Sequence, residues 1–342
     1  MKRCAAILLP ALAILSVAIS YASLVRAQQD PTLDARRRRF PDVGAGFRAI
    51  RRDPDGSYYV LAPSTPSRPS KPSAPAVLIF DSQGRKLRQI PARPGPGEIV
   101  FPNSLDLDAS GRIYIADLGG NAVNVYTADG ALFAHFRVPA PTQIIALPHD
   151  QFAVCSSNAD HLIAVYDLHG MLLREFGELA DLSDDADLNH RLNLGHLASD
   201  KAGNLYFAFR YLPEPTVRKY DPSSGHLLDE LSLMSLDLQP IAQSARQEIA
   251  RSASGKAISP HEIISALGVD PETQELWLAL GNLFLHFDNA DNNTASNRAY
   301  TPGGARMVPN FILVEKDDLL LGNDPLGIYE FPRSSGKVRR PE

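Results

Sequence analysis

The feature that most constrains this chain is a recurring pattern of four short runs rich in Ile, Val, Tyr and Phe, separated by tight turn signals. It is clearest in FPNSLDLDASGRIYIADLGGNAVNVYTADGALFAHF, from Phe101 to Phe136. Ser104–Asp108, Arg112–Asp117, Ala122–Thr127 and Ala131–Phe136 read as strands, because β-branched and aromatic residues favour pleated backbone. The breaks fall at Ser110-Gly111, Gly119-Gly120-Asn121 and Asp129-Gly130. Glycine adopts positive φ freely there, and Asp or Asn tolerates it. Four antiparallel strands of this kind cannot bury both faces alone, so such a unit is stable only beside others like it.

The spacing repeats position by position. When FRAIRRDPDGSYYVLA (Phe47–Ala62) is set on the first stretch with Asp53 against Asp108, Gly56, Tyr58 and Val60 fall on Gly111, Ile113 and Ile115 without a gap. Asp200, Gly203, Leu205 and Phe207 repeat those positions, and Pro309-Asn310 match Pro102-Asn103. Six copies can be followed, at about 47–91, 101–139, 141–179, 194–233, 260–304 and 305–334. The expected fold is all-β: a six-bladed β-propeller of four-stranded antiparallel blades. Between blades four and five, Gln239–Ser252 breaks the period; Ile241, Ala245, Ile249 and Ala250 predict a short amphipathic helix. The last copy holds three convincing strands, so a strand from around Arg39–Gly44 is expected to close the ring. The proline-rich Pro63–Pro75 reads as a surface loop inserted in blade one.

Composition bounds the partners. A net charge of −5 with no dominant basic stripe gives no case for nucleic acid. Met1–Ala27 has the charged start, apolar core and small-residue end of a signal peptide, with cleavage predicted after Ala27. That makes the protein secreted or periplasmic with no stable membrane span; an uncleaved leader acting as an N-terminal membrane anchor is the alternative. Residues 28–39, with the run Arg36–Arg39, read as a flexible basic arm, and 335–342 as a C-terminal tail. Export leaves one cysteine, Cys155, within the apolar run Phe152-Ala-Val-Cys155, where a buried small hydrophobe is expected rather than a nucleophile.

Blade two is led in by GPGE, carries D-x-x-G-x-I-Y-I-x-D from Asp108 to Asp117 and is followed by Asn121. In this it resembles an NHL-type repeat of the six-bladed β-propeller superfamily. The resemblance extends over Phe47–Phe331 and implies the fold. The superfamily includes secreted binding proteins, gluconolactonase-like hydrolases and amidating lyases, so kinship does not choose a chemistry.

In a four-stranded meander, the loops joining strands two to three and strand four to the next blade share one end. Every long element lies in that set: Pro63–Pro75, Ala92–Val100, Ala180–Asn193, Tyr211–Pro215 and Met234–Glu262. The opposite loops are tight, which nominates the long-loop face and its channel mouth as the binding site. Candidate ligand-binding residues are Arg48, Asn103, Asp117, Asn121, Asn158, Asp160, Arg210, His261, Asn310 and Asp324. Two readings of them stand side by side: they line a site for a protein, peptide or small-molecule ligand, or they cap turns around a wet channel. No catalytic residue and no cofactor is predicted, since neither a G-x-S-x-G nor an H-E-x-x-H run is present. The expected function is an exported binding or scaffolding module. The alternative is a lactonase-like hydrolase holding a divalent metal through Asn103, Asp117, Asn310 and Asp324.

Overall fold

A computed structural model describes residues 31–63, 74–91, 98–233, 238–253 and 260–333. The expected leader and C-terminal tail lie outside these residues, as does most of the Pro63–Pro75 loop. Blades one to four are four-stranded sheets with their strands in chain order from the inside outward; blades five and six begin in the same way and take their outermost strands from the N-terminal stretch. The six innermost strands are Ala49–Arg52, Pro102–Leu107, Pro141–Leu147, Gly195–Ser199, Ala266–Val269 and Phe311–Val314. Each neighbours the next, and the sixth returns to the first, so the ring is closed.

The turn pattern has a direct physical cause. The amides of Gly56, Gly111 and Gly203 donate to the carbonyls of Asp53, Asp108 and Asp200 at 2.9–3.0 Å, each glycine with φ between 78° and 93°. The Asp108 carboxylate also accepts from the Ser110 and Arg112 amides, at 2.9 and 3.0 Å. Two residues after the glycine a tyrosine or its apolar counterpart enters the core. In blades two and four a tyrosine one residue further on, Tyr114 or Tyr206, hands its hydroxyl back to the turn aspartate at 3.0 and 3.1 Å. Blades one to five each carry a bulge near the start of the outermost strand, which increases local twist.

No single core fills the molecule. Six apolar wedges form instead, one between each pair of neighbouring blades. The aromatic residues belong to these wedges, as Tyr58, Tyr114, Tyr206 and Trp277 are all buried. Cys155 is buried in the wedge between blades three and four, and burial pushes its thiol far up in pKa.

Among the described residues, two helices stand on the long-loop face. The helix expected over Gln239–Ser252 is present as Gln239–Ala253, between blades four and five. A second, Ala186–Leu192, forms within the Ala180–Asn193 loop, capped by the Asp185 carboxylate accepting from the Leu188 amide at 2.8 Å. Ile249 of the longer helix packs against Leu188 and Leu192 of the shorter.

The N-terminal stretch departs from the expectation of a flexible basic arm. Thr32–Asp34 pairs in parallel with the outer strand of blade five, and Arg37–Arg39 pairs antiparallel with Gly327–Pro332 as the fourth strand of blade six. The ring closes through Arg37–Arg39 itself, earlier than the stretch around Arg39–Gly44. Charge explains why this basic strand docks. Glu330 accepts from Arg37 Nε and Nη2 at 3.1 and 2.8 Å and from Arg39 Nη1 at 2.8 Å, while Arg36 pairs with Asp318.

Candidate functional site: the central channel and its mouth

The inner strands enclose a channel of about 650 Å³, within the range of small-molecule sites. Six equivalent residues stand at its long-loop end: Arg48, Asn103, Thr142, Gly195, Ser265 and Asn310. Three present no free polar side chain. Thr142 Oγ1 donates to the Cys155 carbonyl at 3.0 Å, Ser265 Oγ to the Ala279 carbonyl at 3.3 Å, and Gly195 has none. The other three, Asn310, Arg48 and Asn103, belong to the consecutive blades six, one and two, and all line the channel.

Local structure positions each of them. Arg48 N donates to the Leu61 carbonyl at 2.8 Å and Asn310 N to that of Gly322 at 2.7 Å, which anchors both backbones. Asn103 sits at a bulge between Pro102 and Ser104, a device that re-aims a side chain out of the ladder. The Arg48 guanidinium lies 5.0 Å from the centre of the Phe101 ring, a cation–π contact that holds an exposed arginine in place. Asn310 Oδ1 accepts from the Asp324 amide at 3.0 Å, so its Nδ2 group is left as a donor.

Deeper in the channel, Arg51 Nε donates to Asp106 Oδ1 at 2.7 Å, and Asp106 Oδ2 accepts from the Ala146 amide at 2.8 Å. Burial raises the Asp106 carboxyl above its ordinary range, against the pull of Arg51. His196 lines the same space; its Nε2 donates to the Ile264 carbonyl at 3.2 Å, which leaves Nδ1 an acceptor. Burial, helped by the Arg210 charge, pushes the imidazole down to about 3, so the ring is neutral near pH 7. The far end mixes Arg52, Lys316, Asp53, Glu272 and Glu315, with Arg52 and Glu315 paired at 3.2 Å.

The remaining sequence candidates are elsewhere, most of them bound to loops. Asp117 is fully buried and accepts from Val100 N and Phe101 N at 2.7 Å and from Gly120 N at 3.2 Å. Asn121, at φ 47°, accepts from the Ala140 amide, and Asp324 from the Gly46 amide at 2.8 Å. Asn158 and Asp160 are exposed, the latter 3.6 Å from His190. Arg210 pairs with Glu262, and the exposed His261 leans on Glu248 at 3.1 Å. Of the four residues expected to hold a divalent metal, Asp117 has both oxygens bonded to backbone amides, and Asn310 Oδ1 accepts from the Asp324 amide. Among the described residues no group of three or more His, Cys, Asp or Glu is placed to hold a metal ion. Sequence reasoning passed over Arg51, Asp106 and Gln143, although a polar residue inside an innermost strand was the available signal. No helix among the described residues is long and apolar enough to cross a membrane.

Comparison with known proteins agrees with this architecture. A family described as 6-bladed beta-propeller matches residues 71–220, from blade one into the third strand of blade four. It is a match to the six-bladed fold rather than to the NHL repeat in particular. No curated protein matches the sequence. Among solved structures, a streptogramin B lyase is similar at 14% identity, over 86% of this chain and 85% of that one, with a TM-score of 0.53. A catalytically inactive virginiamycin B lyase from Staphylococcus aureus with quinupristin gives 14% identity, 86% and 83% coverage and a TM-score of 0.55. The WD40 repeats of RRP9 give 12% identity, 89% and 99% coverage and a TM-score of 0.53. At these identities the likeness is one of fold. The chain is a six-bladed β-propeller.

Proposed function

We propose that this propeller is an exported binding module that takes its ligand at the long-loop face, through the mouth of the central channel. The observation that carries the reading is the arc Asn310–Arg48–Asn103, the part of the mouth whose side chains keep N–H donors without a backbone partner among the described residues. Exposed Val100, Phe101 and Val308 lie just before the inner strands that bear Asn103 and Asn310, adding apolar contact surface beside polar groups. Export rests on the leader-like start of the sequence. A thermal-shift screen of a small-molecule and peptide library tests this, comparing the natural protein with Asn103→Trp, which fills the mouth, and Lys316→Trp at the far end. Ligands should lose their effect in Asn103→Trp and keep it in Lys316→Trp. Ligands indifferent to Asn103→Trp would place binding elsewhere and end the reading.

A further inference from the structure

We propose that the mouth arc is a carboxylate receptor, and that its ligand is an organic monocarboxylate with an apolar body. The inference rests on the proposed use of the mouth and adds the class of ligand. All three side chains of the arc offer donors. Arg48 pairs with no carboxylate among the described residues, its partner being the Phe101 ring at 5.0 Å. The Asn310 amide is oriented by the Asp324 N–H so that its oxygen is occupied and its NH₂ remains. Asn103 is displaced from the ladder by its bulge, and no described residue takes its amide. A planar guanidinium held on an aromatic ring and flanked by two carboxamides matches a carboxylate, which a guanidinium can grip through two parallel N–H···O bonds.

The acids beside the arc are bonded to backbone amides and not to Arg48, Asp117 accepting from Val100 N, Phe101 N and Gly120 N. Asp324 turns its carboxylate to the Gly46 amide at 2.8 Å. The channel's other acids are Asp106, which is paired with Arg51, and Asp53, Glu272 and Glu315 at the far end. Arg48 thus has no ion-pair partner among the described residues and can draw an anionic head to the mouth. One cation without an ion-pair partner suits one negative charge; a phosphate monoester brings nearly two. Below the arc Ile145, Leu197, Leu267 and Ile312 line the walls beside Gln143, His196 and the Arg51–Asp106 pair, so an apolar body finds hydrocarbon on part of the wall.

Calorimetric titration of the full chain with 3-phenylpropionate and its neutral amide, 3-phenylpropionamide, is the test. The acid should bind at least about tenfold more tightly than the amide. Arg48→Gln should abolish that difference, while Lys316→Gln at the far end preserves it, and inorganic phosphate should not compete. Equal binding of acid and amide, equal losses in Arg48→Gln and Lys316→Gln, or no binding of the acid overturns the proposal. If neutral ligands are lost in Asn103→Trp while the acid fails to bind, the mouth remains the binding site and only the carboxylate assignment falls.

Discussion

Arg51 Nε and Asp106 Oδ1 meet at 2.7 Å from equivalent positions on neighbouring inner strands, three residues after Arg48 and Asn103. Because Asp106 Oδ2 also accepts from the Ala146 amide, one carboxylate ties together the inner strands of blades one, two and three. Asp106→Ala leaves a guanidinium and a backbone N–H without partners in the channel wall. We expect a loss of about 3 kcal/mol in urea unfolding, at the lower end for a broken buried pair because Arg51 keeps some contact with water. Arg51→Met combined with Asp106→Asn removes both charges but keeps an acceptor for Ala146, and should recover part of the loss. A double variant as unstable as Asp106→Ala would show that the ion pair is not what holds these strands.

The ring closure makes a prediction about acid. Burial pushes the Glu330 carboxyl up, but hydrogen bonds and charge from Arg37 and Arg39 outweigh it and hold the group below its ordinary range. A carboxyl with a depressed folded-state pKa contributes stability that is present above the unfolded value and lost as pH falls through the folded one. The closing strand should therefore loosen below about pH 4.3, the ordinary glutamate value. Hydrogen exchange of the Arg37–Arg39 amides should accelerate there before blades two to four open. Glu330→Gln should show the faster exchange already at pH 7; unchanged protection would mean that backbone pairing alone closes the ring.

What was legible in the sequence was what is decided locally. The D-x-x-G turns announce themselves because acceptor and donor lie within four residues, as in Asp108 with Gly111 and Arg112. Asp117 looked like a site residue because its type and position at a strand end fit one; its actual partners, the Val100 and Phe101 amides, come from the preceding blade connection 17 and 16 residues earlier. The Arg36–Arg39 run looked solvated for the same reason. Its carboxylates, Asp318 and Glu330, stand 282 to 293 residues away and are brought near only when the ring closes. The mouth was partly readable: Arg48, Asn103 and Asn310 follow from the repeat register, while which of the six equivalent residues stay free depends on hydrogen bonds the register does not encode.

Packing between blades six and one is tight enough to test with one methyl group. A Cβ built at Gly322 falls 2.2 Å from the Phe311 ring, and the ring has little room to move away, since Phe311 is itself buried against Phe47 with ring centroids 5.9 Å apart. Gly322→Ala should cost about 3 kcal/mol, as for overpacked cores. Adding Phe311→Leu frees the space and should leave the double variant more stable than Gly322→Ala. Losses that simply add would trace the effect to the backbone of the strand Asp318–Asn323 rather than to the ring.

His196 gives the channel a measurable pH signature. Its folded-state pKa of about 3 lies below the ordinary histidine value of about 6.5, because burial and the Arg210 charge both disfavour the imidazolium. Between those values the unfolded chain holds a proton at this position and the folded chain does not. Stability contributed by the neutral ring is thus complete above about pH 6.5 and falls as the pH drops toward 3, with a limiting slope of about 1.4 kcal/mol per pH unit. His196→Gln keeps a donor for the Ile264 carbonyl but cannot titrate. Subtracting its urea stability from that of the natural protein between pH 7 and 4 isolates this one proton: the difference should shift steadily against the natural protein as acid is added. A difference that stays flat over that range would mean that the ring takes up its proton in the folded channel, with Nδ1 reaching water and no longer serving as an acceptor.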